Sequence, residues 1–106
     1  MSKWMIIYTK SAYEELDGIH KYIAENLLVP NIAIEQTRRI MSAIDTLDEM
    51  PFRNPLYDKE PWKSLGLRKL FIDNYIAFYY TNENTKEVII THIFYGGRNI
   101  DEILKS

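Results

Sequence analysis

Leu67-Arg68-Lys69-Leu70-Phe71-Ile72-Asp73-Asn74-Tyr75-Ile76-Ala77-Phe78-Tyr79-Tyr80-Thr81 reads as two strands joined by a tight turn. Two runs rich in aliphatic and aromatic residues flank Asp73-Asn74, a pair suited to a hairpin link. A third run, Glu87 to Tyr95, comes after the longer link Asn82-Glu83-Asn84-Thr85, so the three strands are expected to pair antiparallel as a meander. Side chains alternate along a strand, which puts Ile76, Phe78 and Tyr80 on one side of the middle run and Tyr75, Ala77 and Tyr79 on the other. A strand apolar on both sides belongs to a sheet with both faces covered.

The preceding half of the chain supplies one cover. Met5 to Tyr8 reads as a short strand. From Ser11, read as the N-cap with Glu14 at capping-box spacing, Ala12, Leu16, Ile19, Ile23 and Leu27 recur at helical intervals. Pro30 interrupts, and a second helix is expected from Asn31 to Glu49, with Ala33, Thr37, Ile40, Ile44 and Leu47 on one face. Glu35, Arg38, Arg39, Ser42 and Asp45 then fall largely on the other, which makes Arg38-Arg39 a solvated pair. Two long helices so shortly connected pack antiparallel. The second face is left to the C-terminal segment or to a partner. Between helices and meander, Met50 to Trp62 interleaves Pro51, Pro55 and Pro61 with Phe52, Leu56, Tyr57 and Trp62. So many prolines argue against helix and central strand, leaving an ordered loop anchored by aromatics. The expected fold is α+β: a strand and an antiparallel helical hairpin on a small, mostly antiparallel sheet, with a short C-terminal helix.

Composition sets the class of molecule. With 106 residues the chain is expected to form one domain, 1–106, with a modest core. It has no cysteine, which excludes disulfides, a cysteine zinc site and thiol catalysis. The apolar stretch within Met1 to Tyr8 is too short for a signal peptide and no run is long enough to span a membrane, so a cytoplasmic location is expected. A net charge of −2 weighs against a surface built wholly for nucleic acid; Arg38-Arg39, Lys63 with Arg68-Lys69, and Arg98 are the candidates for local basic patches.

Chemistry concentrates where Val88-Ile89-Ile90-Thr91-His92-Ile93-Phe94-Tyr95 stops at Gly96-Gly97-Arg98. A strand ending at paired glycines before a short helix holds a cation at its tip, so Arg98 is the leading candidate. The ordinary alternative pairs it with Asp101 or Glu102, which otherwise serve the N-terminus of the last helix. Tyr95 is read either as orienting Arg98 or as a strand-end tyrosine reaching water. Arg68 and Lys69 are the other basic candidates, against the reading of Arg68 as a solvated strand residue. His92 is read as a hydrogen-bonded strand histidine and His20 as a surface or packing residue. No P-loop, HExxH or GxGxxG pattern occurs, so neither a cofactor nor a metal is expected.

In this order and spacing the motifs resemble the RelE/ParE superfamily of toxins from type II toxin-antitoxin modules, over nearly the whole chain. The likeness is most specific in Gly66-Leu67-Arg68-Lys69-Leu70 leading through Asp73-Asn74-Tyr75 into Ile76-Ala77-Phe78-Tyr79-Tyr80. It is equally specific in Ile93-Phe94-Tyr95-Gly96-Gly97-Arg98-Asn99-Ile100 with Ile103-Leu104. The latter resembles the Gly-x-Arg-Asp-hydrophobic ending of ParE-like members, with Asn99 in the Asp position. The resemblance implies one of two activities. RelE-like members cut mRNA in the ribosome with a Lys/Arg cluster and, in several, a C-terminal Tyr or His; ParE-like members inhibit DNA gyrase by binding it. RelE-like nucleases typically carry an Arg where this chain has Ile76, and a Tyr near the place of Ile103 and Leu104. The resemblance is therefore closer to ParE-like members.

It implies a growth-arresting, plasmid-stabilising toxin that binds its target through Arg98, Arg68, Tyr95 and the Trp62 loop. One alternative is a ribosome-dependent mRNA endonuclease with a reduced set of Arg68 and Arg98, joined by Lys69 and Tyr95. Another is a non-toxic member that only binds antitoxin. All three imply a cognate antitoxin whose C-terminal segment folds on binding, with operator DNA reached only through that antitoxin.

Overall fold

A computed structural model describes residues 3–105, so Met1, Ser2 and Ser106 lie outside it. The chain runs β1 (Met5–Tyr8), α1 (Lys10–Lys21) continued by a π-helical turn (Tyr22–Asn26), and α2 (Pro30–Asp45) ending in a 3-10 turn (Thr46–Asp48). Then come a 3-10 turn (Pro51–Arg53), a one-turn helix α3 (Trp62–Leu65), β2 (Arg68–Ile72), β3 (Tyr75–Asn82), β4 (Glu87–Tyr95) and α4 (Ile100–Lys105). The fold is the expected α+β arrangement.

The sheet order is β1-β4-β3-β2. The antiparallel meander is as read from the sequence, and β1 lies parallel to β4, with Met5 opposite Glu87 and Tyr8 opposite Ile90. Thr91 is an extra residue on β4, because Phe78 pairs with His92 while Tyr79 pairs with Ile90. This bulge reverses which β4 residues point toward the β1 side. Before it, the Ile90 carbonyl accepts from Thr9 N–H at 3.0 Å; after it, the N–H of Ile93 points that way and donates to Glu15 Oε1 at 3.0 Å. Side chains of α1 thus continue where β1 stops.

Both faces of the sheet are buried. On one, Ala12, Leu16, Ile40, Ile44 and Leu47 of the helical hairpin pack on Ala77, Tyr79, Val88, Ile90 and Ile93. On the other, Ile76, Phe78 and Phe94 meet Tyr57, Trp62 and Leu67, with Tyr80 and the α4 residues Ile100, Ile103 and Leu104 packed alongside. The C-terminal segment is therefore the second cover, assisted by the proline-rich loop. Each large apolar side chain so enclosed contributes about 1.5–3 kcal/mol.

Several local expectations are corrected. Thr9, rather than Ser11, caps α1: its hydroxyl accepts from Ala12 N–H at 3.1 Å, and Ser11 is exposed. Leu27 leaves the apolar face and is 53% exposed, because the wide turn from Tyr22 to Asn26 rotates the residue next after it away from the core. The second helix gives way to a 3-10 turn after Asp45. The segment read as loop holds helical turns at Pro51–Arg53 and Trp62–Leu65, where each proline stands at or before the first helical residue and withdraws no needed donor. Arg39 is a strut rather than a free solvated charge: its Nε and Nη2 grip Asp73 at 3.0 and 2.7 Å, tying α2 to the β2–β3 turn, and Gln36 adds a third bond.

Tyr79 links sheet and loop. Its side chain is fully buried, and its hydroxyl donates to the Pro51 carbonyl at 2.7 Å while accepting from Asn54 at 3.1 Å. Tyr79→Phe keeps the ring and strands both partners, so urea unfolding is expected to show a loss of about 1–3 kcal/mol with an unchanged denaturant slope.

Candidate functional site

The tip after β4 is shaped by close contacts that exclude side chains. Gly96 N–H donates to the Asn74 carbonyl at 2.9 Å, and a Cβ on Gly96 would lie 3.3 Å from both that oxygen and Ile76 Cδ1. A Cβ on Gly97 would fall 2.8 Å from the Tyr95 ring, which itself packs edge-on against Tyr75 with centroids 6.0 Å apart. The turn closes through Arg98 N–H to the Tyr95 carbonyl at 3.2 Å. The paired glycines thus avoid a tight contact with the neighbouring backbone and a clash with the Tyr95 ring as it stands, and the turn delivers Arg98 to the surface.

Arg98 is exposed, and among the described residues its guanidinium has no ion-pair or hydrogen-bond partner. Asp101, one of the two carboxylates offered as its ordinary partner, is engaged elsewhere: it accepts from Lys59 Nζ at 2.8 Å and from the Tyr57 hydroxyl. Those donors hold the Asp101 carboxyl below the usual carboxylate range, Lys59 foremost. Burial, reinforced by Asp101, pushes the Tyr57 phenol up to about 12. Asp101 therefore anchors α4 to the proline-rich loop and leaves Arg98 unneutralised. Beside Arg98 lies an open concavity of about 370 Å³ between the end of α1 and the end of β4, walled by Ile19, Tyr22, Phe94 and Tyr95. Glu15 also lines it, but its carboxylate is committed to Ile93 N–H and to His92 Nδ1, the latter at 3.2 Å.

The remaining candidates do not gather around Arg98. Arg68 Nη1 donates to the carbonyls of Asn54 at 2.6 Å and Phe52 at 3.2 Å, with its guanidinium over the Phe52 ring. It is a loop anchor rather than a solvated residue. Lys69 lies over Tyr57 and Phe71. Trp62, read as a surface residue of the loop, is buried in the second core because α4 closes over it. Arg68 pairs with Tyr79 and Tyr95 with Tyr75, four residues apart along β3, which separates Arg68 from Tyr95, the last strand residue before the Arg98 turn, by roughly 13 Å along the sheet and about two strand spacings across it. Ile76 is buried, and Ile103 and Leu104 pack on the same covered face. His92 is hydrogen-bonded, as expected, and its partner is Glu15. No group of three His, Cys, Asp or Glu suited to a metal occurs among the described residues.

Sequence reasoning missed Tyr22 as part of this surface, since the π turn that carries it has no periodicity signal. It also missed the Tyr57–Asp101–Lys59 anchor and the Glu15–Ile93 bond, whose members are distant in sequence.

The sequence matches, over residues 6–100, the family described as ParE toxin of type II toxin-antitoxin system, parDE. The chain belongs to the ParE toxin family. Among solved structures, this toxin is similar to a chain of the chromosomal ParDE system from P. aeruginosa, at 21% identity and a TM-score of 0.72, covering 88% of this chain and 96% of that one. It also resembles a chain of the RelBE2 toxin-antitoxin complex from Mycobacterium tuberculosis, at 17% identity and 0.64, covering 90% and 93%. A chain of the archaeal RelE-RelB complex from Pyrococcus horikoshii OT3 is similar at 15% identity and 0.60, covering 92% and 99%. Comparison with curated protein sequences finds no match. Among the described residues of the toxin, no helix is long and apolar enough to cross a membrane.

The Asp101 anchor has a pH signature. A carboxyl whose folded pKa lies below its unfolded one stabilises the fold at neutral pH, and that contribution is lost as pH falls through the folded value. Asp101→Asn is expected to speed amide exchange in α4 at pH 7 while leaving β3 unchanged. The difference from wild type should close below the ordinary carboxylate range, where both proteins lack the charge.

Proposed function

We propose that this ParE-family toxin arrests growth by binding DNA gyrase, and that a cognate antitoxin neutralises it. The carrying observation is the covered second face of the sheet. Where an mRNA-cutting relative would hold an arginine, Ile76 is buried; where it would hold a tyrosine, Ile103 and Leu104 pack on Phe78, Phe94 and their neighbours. With Arg68 tied to loop carbonyls, the second arginine of the reduced nuclease set is not free to join Arg98. A lone guanidinium can stabilise a phosphorane-like charge but supplies no general base. An exposed Arg beside exposed aromatic rings is instead the composition of a protein-binding hot spot.

The antitoxin has a surface suited to it. Between α1, α2 and β1 an apolar groove of about 480 Å³ is lined by Tyr8, Tyr13, Leu16 and Met41, with Tyr13 67% and Met41 46% exposed. A segment that folds on binding would cover this groove. Operator DNA would be reached through the antitoxin, since this chain carries a net charge of −2 and its sequence has no helix-turn-helix signature.

Inducible expression in bacteria without antitoxin, with wild type beside Arg98→Ala, tests this reading. The expected result is growth arrest with loss of plasmid supercoiling and intact ribosome-bound messages, reduced at least tenfold in potency by Arg98→Ala. Cleaved messages would restore the endonuclease reading, and normal growth on wild-type expression would point to a non-toxic member.

A further inference from the structure

Most lysines and arginines of this acidic chain already have partners. Lys3, Lys10, Lys21, Arg39 and Lys59 each pair with a carboxylate, Arg53 and Arg68 hold backbone carbonyls, and Lys86 sits over the Trp4 ring. Arg98 differs in being both unengaged among the described residues and set at the mouth of a concavity. The walls of that concavity are also out of the ordinary for a solvated end of a domain. Tyr22 is 56% and Tyr95 52% exposed, on two different elements, and Tyr75 supports Tyr95 from beneath. Tyr22 is presented by the π-helical turn, a feature frequent at functional sites, and the hairpin tip beyond it exposes Leu27 and Leu28. Leu28 does so with φ of +57°, a left-handed conformation that costs a branched apolar residue stability.

We propose that this end of the molecule, Tyr22, Tyr95 and Arg98 around their concavity, is a docking seat for an acidic side chain flanked by an apolar one on the antitoxin. The inference rests on the reading of the chain as an antitoxin-controlled toxin and adds where and by what chemistry control is exerted. Charge complementarity selects the occupant: the one acid lining the concavity, Glu15, is turned to Ile93 and His92, so a carboxylate from outside meets Arg98 without a rival among the described residues. The tyrosine rings supply rigid contact area that excludes water from the pair. Because the seat and the apolar groove lie on opposite sides of α1, with Glu15, Ile19 and Tyr22 facing one and Tyr13, Leu16 and His20 the other, an antitoxin segment occupying both would wrap that helix. The antitoxin would then compete with the target for Arg98, which is neutralisation by occlusion.

The test measures binding of the full-length cognate antitoxin to the purified toxin, wild type, Arg98→Glu, Arg98→Lys and Tyr22→Ser, at two salt concentrations. Arg98→Glu is expected to weaken binding at least tenfold and to flatten its salt dependence. Arg98→Lys should recover part of the loss and Tyr22→Ser should cost about fivefold, all with wild-type thermal unfolding; Arg98 and Tyr22 are exposed, so none of these changes touches the core. Affinities for Arg98→Glu within twofold of wild type would overturn the seat while leaving the toxin-antitoxin reading intact. Failure of the wild-type chain to bind the antitoxin would overturn both.

Discussion

The structure depends on a sheet that is apolar on both faces and must be buried twice. Four strands give too narrow a layer to hide Phe78, Phe94 and Ile76 by themselves, and the helical hairpin reaches only the side of Ala77, Tyr79 and Ile90. The second side is closed by α4 and the proline-rich segment, two short pieces with little intrinsic helical or strand stability. They are held by specific bonds: Asp101 to Tyr57 and Lys59, and Arg68 to the carbonyls of Phe52 and Asn54. Arg68, which the sequence offers as chemistry, is thus consumed together with Asp101 in fastening a lid on the core.

That use of charge decides what the surface can do. With Asp101 engaged by Lys59 and Tyr57, Arg98 lacks a local counter-ion among the described residues; with Arg68 engaged by the loop, the other candidate arginine is held away from it. Gly96 and Gly97 permit the close turn that puts Arg98 outward. The outcome is an exposed guanidinium beside the rings of Tyr22 and Tyr95, with Arg68 held apart from it by the loop carbonyls.

Much of this was legible in the sequence. Period-two alternation from Tyr75 to Tyr80 placed the right residues on the right faces, and it demanded a second cover before one was seen. The strands were bounded almost as read, and Arg98 stood at the tip as expected. What escaped had no local signature. The N-cap shifted from Ser11 to Thr9 because both residues are competent caps and β1 ends at Tyr8. Leu27 left its face because a π turn widens the helix without altering the apolar spacing. Trp62 read as surface because nothing near it in sequence announces that residues forty positions later fold over it. Arg39 and Arg68 found partners 34 and about 15 residues away, a pairing that only the fold creates.

Both the fold and the isolation of Arg98 require α4 to keep the second face of the sheet closed in the free protein. Methyl-to-ring nuclear Overhauser effects in solution report that closure, with the methyl groups of Ile103 and Leu104 read against the rings of Trp62, Phe78 and Phe94. Contacts from α4 methyls to this ring cluster at neutral pH are predicted. Their absence, with random-coil shifts for Ile100 to Lys105, would mean an open face and would refute the doubly covered sheet.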